Sequence, residues 1–312
     1  MEYLKSFEDT SKLYDESLFD FVDVTNDNKF IYGNLKGFND NCCSGKRLRF
    51  STSSKRILLK IELDRFSGLN VLPDWNAKGF DVYEVSSDKY VHKTVFAPFA
   101  ENNIFSEIIN NTPNSNMTIF LPNFSNIKKI YLGIEKNQTL NKFQYPSENK
   151  YPLIFIGDTA IQGAIATRSG NSFPNIISRI TNKDIINIIL NENINDFYKH
   201  LEKLENKCFA YYIIHISKRL IQNNDIEEIK NFYEKIIEIK SIQKMILLID
   251  NNSAETKVNN LCNLLHNNEK TVVLYLDHLL DEEDLNLLIS DENYFSDYMM
   301  YTIANKISEF VK

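Results

Sequence analysis

A short loop at residues 157–163 holds the residue types in this sequence that are best suited to ligand chemistry. It reads Gly-Asp-Thr-Ala-Ile-Gln-Gly and follows the apolar run YPLIFI at 151–156, which is typical of a buried parallel strand. Ligands of open parallel sheets bind beyond the carboxyl ends of the strands, where backbone N–H groups can face an anion. The Asp158 carboxylate and the Thr159 hydroxyl stand at that point. A simple strand-to-loop turn, whose glycines permit unusual backbone angles, fits the same pattern.

Such a loop needs a parallel sheet to position it, and the second half of the chain predicts one. Strand and helix patterns alternate after residue 150, as expected for a sheet covered by helices. The predicted strands are 151–156, 184–190, 209–216, 245–249 and 271–276. The predicted helices are 173–180, 194–204, 226–239, 256–265 and 296–311.

The first half of the chain is β-rich instead. Short strand patterns at this spacing predict a sandwich or jelly roll. The polar stretch 136–151, which contains Pro146, is predicted as a linker. All nine glycines lie at or before Gly170 and all seven prolines at or before Pro174, so turns in the second half must rely on Asn, Asp and Ser. The predicted strands are 47–54, 56–63, 79–85, 117–121 and 127–134.

Composition narrows the class of protein. A length of 312 residues predicts two domains, and a net charge of -7 argues against general affinity for nucleic acid or anionic lipid. The N-terminal residues show no signal-peptide pattern, and no apolar run approaches a membrane span. Four cysteines without a CxxC pair favour a reduced, cytoplasmic protein, and five histidines without ligand spacing predict no metal site and no cofactor.

Residues 151–179, YPLIFIGDTAIQGAIATRSGNSFPNIISR, resemble the first block of the SGNH (GDSL-type) hydrolases. The run RSGNSFPN at 168–175 is similar to a stretch of one subgroup that carries an N-terminal jelly roll. The runs RFST at 49–52, GFDVY at 79–83 and IFLP at 119–122 fit that domain. The resemblance implies an α/β protein with a β-sandwich (jelly-roll) domain at 1–148. A three-layer α/β/α, flavodoxin-like domain with a parallel sheet would follow at 149–312.

The family's esterase chemistry uses a serine nucleophile, and its oxyanion hole uses that serine's own N–H, a glycine N–H and an asparagine side chain. Thr159 occupies the serine position, where its methyl group would crowd a tetrahedral centre. The glycine should follow the second strand of the parallel sheet, but no glycine occurs after Gly170, and Asn191 is the nearest candidate. Ile216 aligns with the asparagine and cannot donate a hydrogen bond. Each lost oxyanion donor typically costs about 10²–10³ in rate.

The family's general base is a histidine in a C-terminal Asp-x-x-His motif, which Asp291 to Tyr294 match with a tyrosine in the base position. Phe295 stands where a proline usually follows, and no histidine occurs after His278. Tyr294 could donate a hydrogen bond to a ligand or fill the vacated pocket with its ring. Asp291 could cap a helix or accept a hydrogen bond from a ligand.

His215, at the predicted end of the third strand, is a candidate for a relocated base acting on Thr159. A half-buried histidine with an ordinary hydrogen bond is the simpler interpretation. Asp277 and His278, after the last strand, could also approach the site, although a pair of residues in a surface loop is the favoured interpretation.

Three functions follow from these residues. The first is a catalytically degenerate member that binds a small molecule, acyl group, peptide or partner protein. The second is a residual or diverted acyl esterase or acyltransferase that uses Thr159 with His215 or Asp158. The third is a scaffold subunit of a biosynthetic or esterase complex, and a homo-oligomer is compatible with all three. The first is favoured, with catalytic candidates Thr159 and His215 and binding candidates Asp158, Gln162, Asn191, Asp291 and Tyr294.

Overall fold

The computed structural model describes residues 15–26, 29–33, 42–64, 72–98, 103–190, 194, 198, 204, 209–239, 242–250, 269–279 and 295–311. These residues form two compact units. One contains the described residues before 34, those from 42 to 144, and Arg168–Gly170. The other contains 145–167 and the described residues from 171 onward. None of the helices in these ranges combines the length and hydropathy that a bilayer span requires.

The first unit is a sandwich of two antiparallel sheets. One sheet has the order β1-β9-β4-β7, and the other has the order β10-β3-β8-β5-β6, with β2 paired to β3. A short helix, α1 (Asp74–Ala77), precedes β5. The strands are β1 (Phe19–Asp23), β2 (Ile31–Tyr32), β3 (Arg47–Thr52), β4 (Arg56–Leu63), β5 (Phe80–Ser86), β6 (Lys89–Phe96), β7 (Ile104–Asn110), β8 (Ser115–Phe120), β9 (Ile127–Glu135) and β10 (Leu140–Lys142).

Alternation explains how these strands build a core. In β4, Ile57, Leu59 and Ile61 join the buried apolar cluster of the sandwich, while Lys60 and Glu62 are only partly buried. The predicted β-sandwich is confirmed. The predicted linker at 136–151 is wrong in one part, because β10 lies within it and pairs with β3.

The second unit is built on a five-stranded parallel sheet with the order β12-β11-β13-β14-β15. Its strands are β11 (Leu153–Gly157), β12 (Ile185–Ile189), β13 (Phe209–Ile216), β14 (Ile242–Ile249) and β15 (Thr271–Tyr275). Its helices are α2 (Thr159–Gln162), α3 (Phe173–Thr181), α4 (Lys218–Asn223), α5 (Ile226–Ile237), α6 (Leu276–Leu279) and α7 (Asp297–Phe310).

Apolar residues cover both faces of this sheet. Ile154 and Ile156 of β11 enter one buried cluster, whereas Leu153 and Phe155 enter the cluster on the other side. This two-sided burial explains why the central strands read as continuous apolar runs. The predicted parallel sheet is confirmed, as are the predicted helices at α3, α5 and α7. The helices predicted at 194–204 and 256–265 fall outside the described residues, apart from residues 194, 198 and 204.

The strand order reverses between β11 and β13. Chain connections leave these neighbouring strands in opposite directions along the sheet, which opens a crevice beyond their carboxyl ends. That crevice is the place where ligands bind in this topology.

Candidate functional site

Three strands bring polar side chains to this sheet edge. Asp158 and Thr159 follow β11, His215 is the penultimate residue of β13, and Asp250 follows β14. Because β11, β13 and β14 are parallel neighbours, their carboxyl ends meet at one edge. The sequence therefore places a hydroxyl, two carboxylates and an imidazole in one crevice.

Two glycines shape the loop after β11. A Cβ at Gly157 would lie 2.7 Å from Ile161 Cγ1 and 3.0 Å from His215 Cβ, so β11 approaches β13 closely only because this residue is glycine. The Asp158 side chain then caps α2 by accepting a hydrogen bond from the Ala160 N–H at 3.0 Å. Gly163 ends α2 in the left-handed region, with φ 89°.

His215 lies at the centre of the cluster and is fully buried. Its Nε2 lies 2.8 Å from Asp250 Oδ1, and its Nδ1 lies 3.5 Å from Asp158 Oδ1. At 3.5 Å the second contact is an ion pair rather than a hydrogen bond. The ring of Phe295 packs edge-on against the imidazole, with centroids 5.7 Å apart. Both ring nitrogens therefore face carboxylates.

Asp250 also orders the start of α4. Its Oδ2 accepts a hydrogen bond from the Lys218 N–H at 3.0 Å, and its own N–H donates to the Ile216 carbonyl at 3.2 Å. Ser217 caps the same helix by accepting from the Leu220 N–H. Sequence reasoning missed Asp250. The available signal was its position directly after a predicted strand, at the same edge as Asp158.

Electrostatics fix the charges of this cluster. Burial lowers the pKa of His215, but the negative charges of Asp250 and Asp158 outweigh it and raise that pKa to about 10. Burial raises the pKa of Asp158, but the close polar contact and charge attraction of His215, with hydrogen bonds from Ser217 and the Ala160 N–H, lower it to about 2. At neutral pH His215 is therefore a cation and Asp158 an anion.

The Thr159 hydroxyl stands apart from this network. Its residue is half-buried, and the hydroxyl makes no hydrogen bond to any residue that the structure describes. The structure brings His215 to the neighbouring Asp158 carboxylate instead. An imidazolium whose nitrogens face two carboxylates has no lone pair with which to accept the Thr159 proton.

The other predicted site residues divide into two groups. Gln162 is buried in α2, and its N–H donates to the Asp158 carbonyl at 3.3 Å. Asn191, Asp291 and Tyr294 lie outside the described residues. Ile216, at the family's asparagine position, is buried in an apolar cluster beside the sheet.

Further candidates at the sheet edge are less central. His278 is exposed and packs its ring near that of Tyr275, with centroids 5.3 Å apart. Within the described ranges, no group of His, Cys, Asp or Glu is arranged to hold a metal ion.

The beginning of α7 is tied to the segment that follows α2. Asp297 accepts hydrogen bonds from the Thr167 N–H at 2.8 Å, the Thr167 hydroxyl at 2.5 Å and the Asn171 amide at 2.8 Å. Phe295, which covers His215, lies two residues before Asp297. These hydrogen bonds therefore help to hold the Phe295 ring against His215.

Comparisons with known proteins match both units. A family described as the N-terminus of SGNH-hydrolase-type esterases matches residues 31–140. A family described as GDSL-like lipase/acylhydrolase matches residues 150–304. A search of curated proteins found no significant match.

Several solved structures share the fold along most of the chain. A candidate GDSL-like lipase from Bacteroides ovatus has a TM-score of 0.75 at 18% identity, covering 93% of this chain and 96% of its own. A salicylyl-acyltransferase from a tetracycline biosynthetic pathway has a TM-score of 0.64 at 13% identity, covering 85% and 81%. A family two carbohydrate esterase from Cellvibrio japonicus has a TM-score of 0.61 at 11% identity, covering 94% and 96%. At these identities the likeness establishes the fold alone.

Proposed function

The chain belongs to the SGNH (GDSL-type) hydrolase family, and we propose that it is a catalytically degenerate member that binds a small molecule at the former esterase site. The site in question is the crevice beyond β11 and β13.

One observation carries the proposal. His215, the penultimate residue of β13, is fully buried and directs its two nitrogens at Asp250 and Asp158. A general base must reach the proton that it removes and must be unprotonated at the working pH. His215 satisfies neither condition for Thr159, because its pKa is raised to about 10 by the two carboxylates that outweigh its burial.

The sequence supports the same proposal at three further positions. Tyr294 stands where the family has its base, Ile216 stands where it has an oxyanion asparagine, and the chain has no glycine after Gly170. These losses compound the threonine at the nucleophile position. The effects of such residues on the rate are not additive, because the residues act as a unit. Restoring one of them should therefore not restore turnover.

The retained loop supports binding rather than simple decay of the site. Asp158, Gly163 and the α2 turn keep an ordered geometry beside the half-buried Thr159 hydroxyl. Proteins named as an acyltransferase and a carbohydrate esterase share this fold, so an acyl or sugar-like small molecule is a suitable first ligand class to screen.

The test is hydrolysis of short-chain aryl esters by the purified protein beside its Thr159→Ala variant. We expect no turnover above background in either protein. Turnover that disappears in the variant would overturn the proposal and would favour a residual acyl esterase or acyltransferase that uses Thr159. Capture of a defined protein partner, without small-molecule binding, would favour the scaffold function instead.

A further inference from the structure

The polarity of the candidate site is opposite to that of an oxyanion-binding site. An oxyanion hole presents unoccupied donors to developing negative charge. Here the cluster consists of the Asp158 and Asp250 carboxylates around one imidazole. With His215 protonated, the cluster carries one net negative charge, and deprotonation would make it more negative.

Two backbone donors at this sheet edge are already used. In the first turn of α2 the Ala160 N–H donates a hydrogen bond to the Asp158 carboxylate. In the first turn of α4 the Lys218 N–H donates one to the Asp250 carboxylate. Helix N-termini attract anions through such N–H groups. At this sheet edge the protein supplies both anions itself, so an incoming carboxylate or oxyanion would find these two donors occupied.

Burial strengthens this effect. His215 is inaccessible, and the Asp158 side chain is only 9% exposed. Charges in such surroundings are less screened than surface charges, so their field extends to the half-buried Thr159 hydroxyl next to Asp158. The His215 Nδ1 makes no hydrogen bond to a described residue and faces Asp158, which keeps that carboxylate ionised without giving a ligand a donor.

We propose that this site selects organic cations and rejects carboxylates and other anions, with Asp158 as the residue that determines the selectivity. The proposal rests on the proposed binding function and names the charge of its ligand. A matching ligand carries an ammonium group, or an equivalent cation, that approaches Asp158 beside the Thr159 hydroxyl. The selectivity is a property of the described cluster and holds for either protonation state of His215.

The test uses a thiol placed at the site by Thr159→Cys. Its rate of modification is measured with a cationic reagent, trimethylammonioethyl methanethiosulfonate, and with the anionic sulfonatoethyl methanethiosulfonate. The two reagents share one reactive group, so the ratio of their rates cancels the thiol's own reactivity. Wild-type protein treated in parallel corrects for the four native cysteines, of which Cys42 and Cys43 are buried. Mass spectrometry locates the modified residue.

We expect the cationic-to-anionic ratio to exceed that of a small free thiol by about tenfold or more. Adding Asp158→Asn should lower the ratio several-fold, whereas Glu227→Gln, which removes an equal charge from an exposed position on α5, should leave it unchanged. A ratio equal to or below that of the free thiol overturns the proposal.

A second measurement covers the case in which the Asp158 variant does not fold. In the Thr159→Cys variant alone, raising the ionic strength from about 0.01 M to about 1 M shortens the Debye length from about 30 Å to about 3 Å. The ratio should then fall towards that of the free thiol, and a salt-independent ratio contradicts the proposal. Neither readout depends on ester turnover, so this inference and the proposed function can fail separately.

Discussion

Nε2 of His215 lies 2.8 Å from Oδ1 of Asp250, and the other oxygen of the same carboxylate accepts the Lys218 N–H. One side chain thus joins the end of β13 to the start of α4 and neutralises a buried imidazolium. The arrangement gives the crevice its fixed charges and predicts how the protein should respond to substitution and to pH.

Replacing Asp250 with asparagine should destabilise the protein strongly. Asp250→Asn preserves the shape but leaves His215 buried with one fewer compensating charge, for which losses of about 3–5 kcal/mol in unfolding free energy are typical. Urea unfolding measures this. As a control, Glu234→Gln removes a carboxylate that is 54% exposed and 4.0 Å from Lys230, and it should cost about 0–1 kcal/mol. Equal losses of unfolding free energy in the two variants would show that the buried pair stabilises the protein no more than an exposed ion pair does.

Stability should decline at alkaline pH because of His215. Its folded pKa of about 10 exceeds the unfolded value of about 6.5, so its protonation stabilises the fold fully below about pH 6.5. This contribution is lost as pH rises through about 10. Wild-type unfolding free energy should therefore fall more steeply between pH 7 and pH 10 than that of His215→Gln. NMR titration of the imidazole provides a direct reading, and deprotonation near pH 6.5 would refute the expectation.

The contribution of Asp158 to the stability of the fold should change at acid pH. Its folded pKa of about 2 lies below the usual value of 3.8, so its ionisation stabilises the fold above about pH 4. The contribution is lost as pH falls through about 2. Acid unfolding of Asp158→Asn should show a shallower pH dependence than that of wild type, measured by circular dichroism. Parallel acid transitions would indicate that Asp158 is not held as an ion.

Restoring the family's serine should not restore hydrolysis. Thr159→Ser removes the crowding methyl group but leaves His215 protonated and paired with two carboxylates. We expect no aryl ester turnover above that of Thr159→Ala. Turnover in the serine variant would mean that a base reaches this position, and pH–rate profiles would then identify its pKa.

Gly170 should tolerate no larger residue. Its N–H donates to Asp81 Oδ2 at 3.1 Å, and an added Cβ would lie 2.3 Å from the same oxygen. Gly170→Ala should therefore cost about 1–3 kcal/mol through overpacking around a fully buried carboxylate. Lys89→Ala, at an exposed position on β6, should change stability by less than about 0.5 kcal/mol. Thermal or urea unfolding compares the two variants.

Sequence reasoning was strongest where burial imposes a simple pattern. The bounds of β4 and β13 match their predicted strands because β4 largely alternates and β13 is apolar at almost every position before His215. It missed β1, β2, β6, β7 and β10. Of these, β6 carries the charged residues of an exposed edge strand, and the three-residue β10 is too short to show periodicity.

The candidate site was predictable only in part. Asp158 and His215 could be placed together because they end neighbouring parallel strands. The depth of His215 and its pairing with Asp250 depend on side-chain direction and helix capping, which residue types alone do not specify. The family resemblance pointed to Thr159 as the centre of the chemistry. In the structure, the short polar contacts join His215 to Asp158 and Asp250 instead.

The β-sandwich unit is not encoded in one uninterrupted stretch of chain. It includes Arg168–Gly170, and the buried Asp81 carboxylate receives the Gly170 N–H and the approach of Arg168, with Nη1 3.5 Å away. During synthesis on the ribosome, the sandwich therefore cannot complete its internal bonding when its last strand, β10, emerges. Completion waits until the loop and helix of the candidate site have been translated. Separating the two halves at the 144/145 boundary would consequently remove the Gly170 N–H and Arg168 from the buried Asp81 carboxylate, which would keep only its partners on β5 and β6, Tyr83 and His92.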